Sequence, residues 1–269
     1  MNYSISKPSK LLSQFVKHFW AMESCISYGE KHIQRIVPSG LSELIFYFDD
    51  IPKSINENIT ISENTVITGQ LNSYYDIAIQ NKISLFSIIF QPLGLTKLLD
   101  IPANKLFNQN VPLKHILKNT TIDLESQLYE AKTFAERINI AEQFIVQRLK
   151  KGKDKYHYNR IKHCIGLINT TKGHVSIDYL ASEACLSRKQ FERVFSEYIG
   201  TSPKRFMKTV RFQNVLHEKA RNRNNNLTTL TYKCGYYDQS HMINDFLKLS
   251  GLTPKQYFSE CEPFSDYFQ

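Results

Sequence analysis

The sequence is poor in the residues and patterns that build disulfide frameworks, metal sites and membrane spans. Its five cysteines are scattered, odd in number and without a Cys-x-x-Cys pair, which argues against a disulfide framework and a zinc knuckle. The histidines His18, His32 and His115 form neither a His-x-His nor a His-Glu-x-x-His pattern, so no metal site is expected. The longest strongly apolar run, residues 83–90, is far shorter than the roughly 20 residues of a membrane span. No signal-peptide pattern opens the chain, and we expect a cytoplasmic protein with reduced cysteines and no membrane partner.

The sequence does contain ample apolar material and an excess of positive charge. Its 269 residues, of which 42% are hydrophobic, suit one large domain or two ordinary ones and argue against a disordered or fibrous chain. Lysine and arginine number 34 against 25 acidic residues, and this net charge of +9 points to a polyanionic partner, whether nucleic acid, membrane surface or ribosome. Residues 187–223 hold ten basic and three acidic residues, so 10 − 3 = +7 of net charge falls in this segment.

The chain changes character near residues 150–156, where a charged stretch broken by a glycine is typical of a linker. Before this stretch, a short apolar run at residues 44–48 and alternating segments at 59–61, 75–79 and 84–90, separated by proline and glycine, predict strands. A short helix at 95–99 and a longer helical stretch at 123–149, with a break near Lys132 or Arg137, are predicted next. After the linker, strand signals almost vanish.

We therefore predict an α+β chain of two domains. Residues 1–150 form a β-rich domain, cupin-like or a small barrel, with accessory helices at its end. Residues 151–155 form the linker, and residues 156–269 form an all-α domain.

The predicted helical domain contains an internal repeat at an offset of 51 residues. Residues 187–195 match 238–246, and residues 200–206 match 251–257, in the cap, the apolar positions, the glycine, the Pro-Lys pair and the terminal aromatic. Serine and aspartate begin the two copies and suit helix N-caps, and the glycines suit the left-handed residue that follows a helix. A short helix precedes each copy, so each predicts two helices joined by a tight turn, the helix-turn-helix pattern.

The repeat predicts motifs at about 177–199 and 227–249, joined by a linker helix over residues 203–220. Such a helix would span about 27 Å. Successive major-groove entries on one face of DNA lie about 34 Å apart. Two recognition helices could therefore enter successive grooves.

The segment 177–258 resembles the double helix-turn-helix domain of AraC/XylS-type transcriptional regulators. The resemblance rests on L-A-x-x-A-C-L-S at 180–187, G-Y-Y-D-Q-S-H-x-x-x-x-F at 235–246 and G-L-T-P-x-x-Y at 251–257. The first half, with P-S-G-x-x-E-L-I-F at 38–46, resembles a sensor domain of some of these regulators. The resemblance implies a sequence-specific DNA-binding regulator, an activator, with a double-stranded operator, RNA polymerase, a small-molecule effector and a second copy of the chain as its partners.

The resemblance also places the positions of Lys189, Glu192 and Arg193 in the major groove, where arginine reads guanine and glutamate accepts from cytosine. Glutamine and asparagine on the second recognition helix suit adenine, although the family often has a basic residue where Asn244 stands. A basic i, i+4, i+7 stripe on the linker helix suits phosphate. The predicted DNA-contacting residues are Arg188, Lys189, Glu192, Arg193, Lys204, Lys208, Arg211, Gln239, Ser240, His241 and Asn244. For each of them, a phosphate contact or a solvated side chain is the alternative.

The strand-rich half offers few candidate effector ligands. Arg35 and Glu43 flank the P-S-G segment, and Trp20 and Tyr47 lie nearby in sequence. One arginine among aromatic side chains would suit a small anionic or aromatic effector. A structural ion pair between Arg35 and Glu43 among core aromatics is the alternative.

Two other functions stay open on the sequence. The first is an enzyme, because some proteins fuse this type of DNA-binding domain to DNA-repair chemistry with reactive or zinc-bound cysteines. Cys25 is the only cysteine of the first half and lies in no Pro-Cys-His-Arg motif, and no Ser/His/Asp constellation or phosphate-binding glycine loop is present, so we expect neither an enzyme nor a cofactor. The second is a non-specific architectural DNA-binding protein, which would differ in specificity ratio and salt dependence.

Overall fold

The computed structural model of the chain describes residues 2–27, 30–55, 59–99, 101–151, 156–262 and 265–268. The chain divides into two compact units. The first unit comprises Met1–Arg35, Ser42–Gly69 and Tyr75–Asp154, and the second comprises Ile36–Leu41, Gln70–Tyr74 and Lys155–Gln269. Two short segments from the strand-rich half thus belong to the helical unit.

The first unit is built on a six-stranded and a three-stranded sheet, in the orders β1-β2-β8-β4-β6-β9 and β3-β7-β5. The strands are β1 (Asn2–Ser6), β2 (Val16–Cys25), β3 (His32–Ile36), β4 (Glu43–Tyr47), β5 (Lys53–Ser54), β6 (Thr65–Thr68), β7 (Tyr75–Ile79), β8 (Lys82–Phe90) and β9 (Asn110–Pro112). The predicted strand at 59–61 is wrong. The alternation at 59–61 spans only three residues, and Ile59 is buried although it lies in no strand. The strand that follows, β6, pairs with both β4 and β9.

Short helices cover one face of the larger sheet. They are α1 (Gly94–Leu98), α2 (Lys114–Leu117), α3 (Asn119–Glu130) and α4 (Phe134–Lys151), with a 3-10 turn at Ala103–Leu106. Phe19, Phe46 and Phe86 of the sheet form one buried cluster with residues of α1, α3 and α4. The helical stretch breaks between α3 and α4, near Lys132 as predicted, because Glu136 accepts the backbone N–H groups of residues 132 and 133 and so caps the new helix.

The second unit contains two similar helix pairs arranged around one long helix. Its helices are α5 (Tyr158–Thr170), α6 (Ile177–Glu183), α7 (Arg188–Ile199), α8 (Pro203–Arg221), α9 (Leu227–Lys233), α10 (Gln239–Ser250) and α11 (Pro254–Glu260). The α8 helix serves both pairs, since Phe206 packs on Phe195 of α7 at 5.6 Å between ring centroids and Phe212 packs on Phe246 of α10 at 4.8 Å. The described helices include none that is long and apolar enough to cross a membrane.

The P-S-G segment at 38–40 is held within the helical unit by side-chain amides. Gln213 Nε2 on α8 donates to the Pro38 carbonyl at 2.9 Å, and Gln70 Nε2 donates to the Gly40 carbonyl at 2.9 Å. Both amide side chains are buried, so these bonds form away from water. The segment is therefore hydrogen-bonded into the helical unit.

Candidate nucleic-acid interface and effector residues

The helices α7 and α10 begin and end with the same local devices, as the repeat predicts. Ser187 caps α7 in a reciprocal capping box with Gln190, and Asp238 caps α10 by accepting the His241 backbone N–H at 2.7 Å. Gly200 and Gly251 close the two helices in left-handed conformations, with φ of 96° and 74°. These ends set two helices of equal length, each with a buried apolar stripe and an exposed polar face.

The exposed face of α7 carries the four residues predicted to contact DNA. The Arg188 guanidinium lies 3.2 Å from Asp178 and 3.4 Å from Glu192, and the Arg193 guanidinium lies 3.2 Å from Glu197. Side chains as exposed as these form ion pairs that contribute only about 0–1 kcal/mol. Both arginines can therefore exchange these partners for DNA at little cost, and Lys189 is exposed beside them.

The exposed face of α10 is polar and rich in amide groups. Gln239, Ser240, His241 and Asn244 are all exposed on it. Gln239 Nε2 donates to the Thr228 hydroxyl of α9 at 2.8 Å, which orients the amide at the start of the helix. The four side chains predicted for the second recognition helix thus share one accessible surface.

The predicted basic stripe on α8 is divided in the structure. Lys208 Nζ lies 2.9 Å from Asp245 Oδ1, and Arg211 lies 3.8 Å from Asp245 Oδ2 while donating to the Gly173 carbonyl at 2.9 Å. Asp245 of α10 is only 3% exposed, so these contacts tie α10 to α8 inside the unit. Lys204 alone of the three stripe residues is exposed.

A second buried acid joins further parts of the same unit. Glu218 of α8 pairs with Lys172, which follows α5, at 3.4 Å and with Lys233 at the end of α9. Burial raises the pKa of Glu218, but hydrogen bonds from the two lysines outweigh it and leave that pKa below its ordinary value. The His174 Nε2 meets the Cys234 carbonyl at 2.7 Å. The two helix pairs are therefore joined by polar bridges as well as by the apolar faces of α8.

Sequence reasoning missed these bridging residues. Asp245 directly precedes the buried Phe246, and Glu218 follows the buried Val215 and Leu216, so both acids fall on the inner side of their helices. An acid inside a buried stripe is a signal that it has a cationic partner. Tyr237, which is 87% exposed and adjacent to the N-cap of α10, was not among the predicted DNA-contacting residues.

The effector candidates of the first unit are only partly brought together. Trp20 Nε1 donates to Glu43 Oε1 at 2.7 Å. Burial, with Tyr75 and Glu43 nearby, raises the pKa of Tyr47. Arg35 lies elsewhere, in a bidentate pair with Asp76 at 2.8 and 2.9 Å, so the alternative of an Arg35–Glu43 ion pair is wrong.

Glu43 is an acidic residue whose ionisation is opposed by burial. Burial raises the pKa of Glu43, and hydrogen bonds from Ser87, at 2.5 Å, and from Trp20 act in the opposite direction. Within the described ranges, no group of three or more His, Cys, Asp or Glu side chains is placed to hold a metal ion.

Known proteins resemble both halves of the chain. Residues 180–260 match the family described as a helix-turn-helix domain, and residues 5–112 match a domain of unknown function, DUF6597. An uncharacterized HTH-type transcriptional regulator of Haemophilus influenzae is 30% identical over 93 residues, which are 35% of this chain and 31% of the relative. The HTH-type transcriptional regulator ArgR of Pseudomonas aeruginosa is 19% identical over 128 residues, 44% and 39% of the two chains.

The chain thus spans about a third of the length of the curated relatives it matches. Among solved structures, ToxT from Vibrio cholerae aligns over 90% of this chain and 98% of its own with a TM-score of 0.50. The two sequences are 11% identical, so this likeness concerns the fold.

Proposed function

We propose that the protein is a sequence-specific transcription regulator that reads two successive major grooves with α7 and α10, since residues 180–260 match a helix-turn-helix domain. The observation that carries the proposal is the pair of helices of equal length, each with a side-chain N-cap, a left-handed glycine at its end and an exposed polar face, that pack on one helix. The 19 residues of α8 span about 28 Å at 1.5 Å per residue. That length suits a spacing of one turn of DNA, about 34 Å.

The exposed faces of α7 and α10 suit different bases. Arg188 and Arg193 on α7 suit guanine, whose O6 and N7 accept a bidentate pair, while Glu192 suits the cytosine amino group. The amides on α10 suit adenine. Lys204 is the stripe residue best placed for phosphate, since its two neighbours on the stripe bind Asp245.

The proposal extends to partners and regulation. The regulator acts in the cytoplasm as an activator, through contact with RNA polymerase, and as a homodimer on double-stranded operator DNA. An effector binds the strand-rich unit, with Trp20, Glu43 and Tyr47 as its candidate ligands. Support comes from the family resemblance and, for the effector, from the hydrogen bond that joins Trp20 to Glu43.

Genomic binding and site selection test this proposal. We expect a few discrete genomic sites at physiological salt and, from selection on random DNA, a bipartite consensus with half-sites one helical turn apart. Uniform genomic coverage would overturn the proposal in favour of an architectural protein.

The Arg193→Ala variant tests the assignment of α7. We expect a loss of about 1–3 kcal/mol on the selected site and relaxed preference at one base pair, because a bidentate guanine contact is removed. Lys162→Ala is the control, since it removes one exposed positive charge on α5, outside both recognition helices. Equal weakening on every substituted operator would make Arg193 a phosphate contact.

A further inference from the structure

One face of the larger sheet carries a row of polar side chains that DNA binding does not use. Directly opposed residues on neighbouring strands point to the same face of a sheet. The pairing registers run from His18 on β2 through Ile89, Glu43 and Thr68 to Asn110 on β9. We call the four polar residues of this register, His18, Glu43, Thr68 and Asn110, the polar row. The register crosses five of the six strands of the sheet, on the face opposite to the one that packs on α1, α3 and α4.

Aromatic and hydroxyl groups surround the carboxyl group of the polar row. Trp20 and Ser87 lie one step along the strands on the same face, and both donate to Glu43 Oε1. Tyr75 of the smaller sheet bonds Asn110 at the end of the row and lies within electrostatic range of Glu43. Among the described residues, no hydrogen bond reaches the second carboxyl oxygen, Glu43 Oε2.

The polar row lacks a positive charge. The described strands of the larger sheet place no lysine or arginine on this face, by their pairing registers. Arg35 is committed to Asp76, whose side chain leaves β7 on the opposite side from Tyr75 because side chains alternate along a strand.

His18 does not supply the missing charge either. Its side chain is 7% exposed and its Nε2 is buried without a hydrogen-bond partner. Burial first and Lys17 second lower the pKa of His18 to about 4, so its imidazole is uncharged near neutral pH. The row thus holds an acid without a counter-charge and an imidazole nitrogen without a partner.

A carboxylate that is partly removed from water without a counter-charge is destabilised. A cation that enters the site would restore the missing charge, and aromatic rings around it would add cation–π attraction. Trp20, Tyr47 and Tyr75 are the rings near Glu43, and the unpartnered His18 nitrogen offers a further hydrogen-bond position.

We propose that the polar row is the effector site and that it binds a small organic cation, a protonated amine with an apolar body, whose ammonium group pairs with Glu43 between the rings of Trp20 and Tyr75. This assignment rests on the proposed function, since it identifies the effector of the regulator. Of the anionic or aromatic effector expected from the sequence, it replaces the anionic alternative, because the arginine that such a ligand would need is bound to Asp76. Ile45 and Ile89, on the same face, line the site for the apolar body.

Trp20 is the only tryptophan of the chain, so its fluorescence reports on this site alone. The probes are two matched sets that differ only in the charged group: phenethylamine, 2-phenylethanol and phenylacetate, and hexylamine, hexanol and hexanoate. We expect saturable fluorescence changes and raised melting temperatures with the amines, and neither with the acids or alcohols. Preference for the alcohols or the acids, or no response to any probe, would overturn the proposal.

Two variants test the role of the charge. Glu43→Gln keeps the size and hydrogen-bonding geometry of the side chain and should weaken amine binding by about tenfold or more, as expected for loss of a desolvated ion pair. Ser87→Ala removes one hydrogen bond to Glu43 but keeps the charge, and should weaken binding far less. Amine binding that survives Glu43→Gln unchanged would refute the ion pair. Circular dichroism confirms that each variant is folded.

The same preparations are assayed for binding to the selected operator, which separates this inference from the proposed function. Selective operator binding without a response to amines refutes the effector site and leaves the regulator intact. An amine response that depends on Glu43, in a protein without DNA selectivity, supports the cation site and refutes the proposed function.

Discussion

The turn of each helix-turn-helix motif passes through the left-handed region at one residue, and the two motifs use different residues there. The first uses Cys185, with φ of 51°, and the second uses Gly235, with φ of 74°. A side chain in this region costs about 1–2 kcal/mol. Replacing that residue with glycine also raises the conformational entropy of the unfolded chain, which lowers the free energy of unfolding by about 0.4–1 kcal/mol. Because Cys185 is exposed, we expect Cys185→Gly to stabilise the protein by about 0.5–1 kcal/mol.

The reverse change at the second turn meets a physical obstacle. A Cβ atom on Gly235 would lie 2.3 Å from His174 Nε2 and within 2.7 Å of two further ring atoms. That ring is held by its contact with the Cys234 carbonyl at 2.7 Å. Gly235→Ala therefore incurs about 1 kcal/mol of left-handed strain and about 1–3 kcal/mol for the displaced ring and its lost hydrogen bond. We expect a total loss of about 3 kcal/mol.

Urea unfolding of the full chain, followed by far-ultraviolet circular dichroism, measures both effects. Gly166→Ala is the matched control, since a Cβ there meets nothing within 4 Å and should stabilise α5 by about 0.5–1 kcal/mol. The expected order of unfolding free energies places Cys185→Gly and Gly166→Ala above the wild type and Gly235→Ala below it. If Gly235→Ala unfolds at the same urea concentration as the control, His174 does not pack on the turn and the reasoning is wrong.

Three further predictions concern pH, positioning and phosphate. Because burial lowers the pKa of His18 from 6.5 to about 4 in the folded protein, the unfolded chain binds a proton on His18 at a higher pH than the folded protein does. The free energy of unfolding should therefore fall by up to about 3 kcal/mol as the pH drops from 6.5 to about 4. His18→Leu should flatten this part of a profile of melting temperature against pH. Asp245→Asn should lower the free energy of unfolding by about 2 kcal/mol and weaken footprint protection of one half-site more than the other, because Lys208 loses its buried partner. The control Asp178→Asn, in an exposed ion pair, should lower it by less than about 0.5 kcal/mol, and equal losses would contradict the positioning role of Asp245. Lys204→Ala should lower the salt slope of operator binding by about 1 without changing base preference, and an altered consensus would exclude a pure phosphate contact.

The helical unit could be predicted in detail because its signals are local. An N-cap, a left-handed glycine and a helical apolar stripe each lie within one or two turns of chain, and the repeat supplies every signal twice. Strands depend on partners far away in sequence. The run that became β7 alternates and those that became β4 and β8 are largely apolar, whereas β2 contains polar residues and a bulge between Val16 and His18, and it escaped prediction.

The exposure of the candidate DNA-contacting residues on α7 and α10 was predictable from the helical period alone. All four candidates on α10 and most of those on α7 are exposed, because the opposite stripe of each helix is apolar. The α8 helix differs, since it is packed by both motifs and has little exposed face. An i, i+4, i+7 basic stripe on such a helix cannot be assigned to phosphate by spacing, because Lys208 and Arg211 reach an acid supplied by another helix.

This arrangement changes what the charge of the chain implies about DNA. By sequence, α10 is neutral, with Lys248 balanced by Asp245, and the positive charge belongs to α7 and α8. In the structure Asp245 is turned inward and lies within ion-pair distance of Lys208 and Arg211, so the acid is absent from the exposed face of α10, while Lys248 is exposed. Lys208 and Arg211 of α8 therefore face Asp245 inside the protein, and the negative charge of Asp245 is not exposed on α10. Under the proposed function, the attraction of α10 for phosphate is therefore greater than the charge count of that helix indicates.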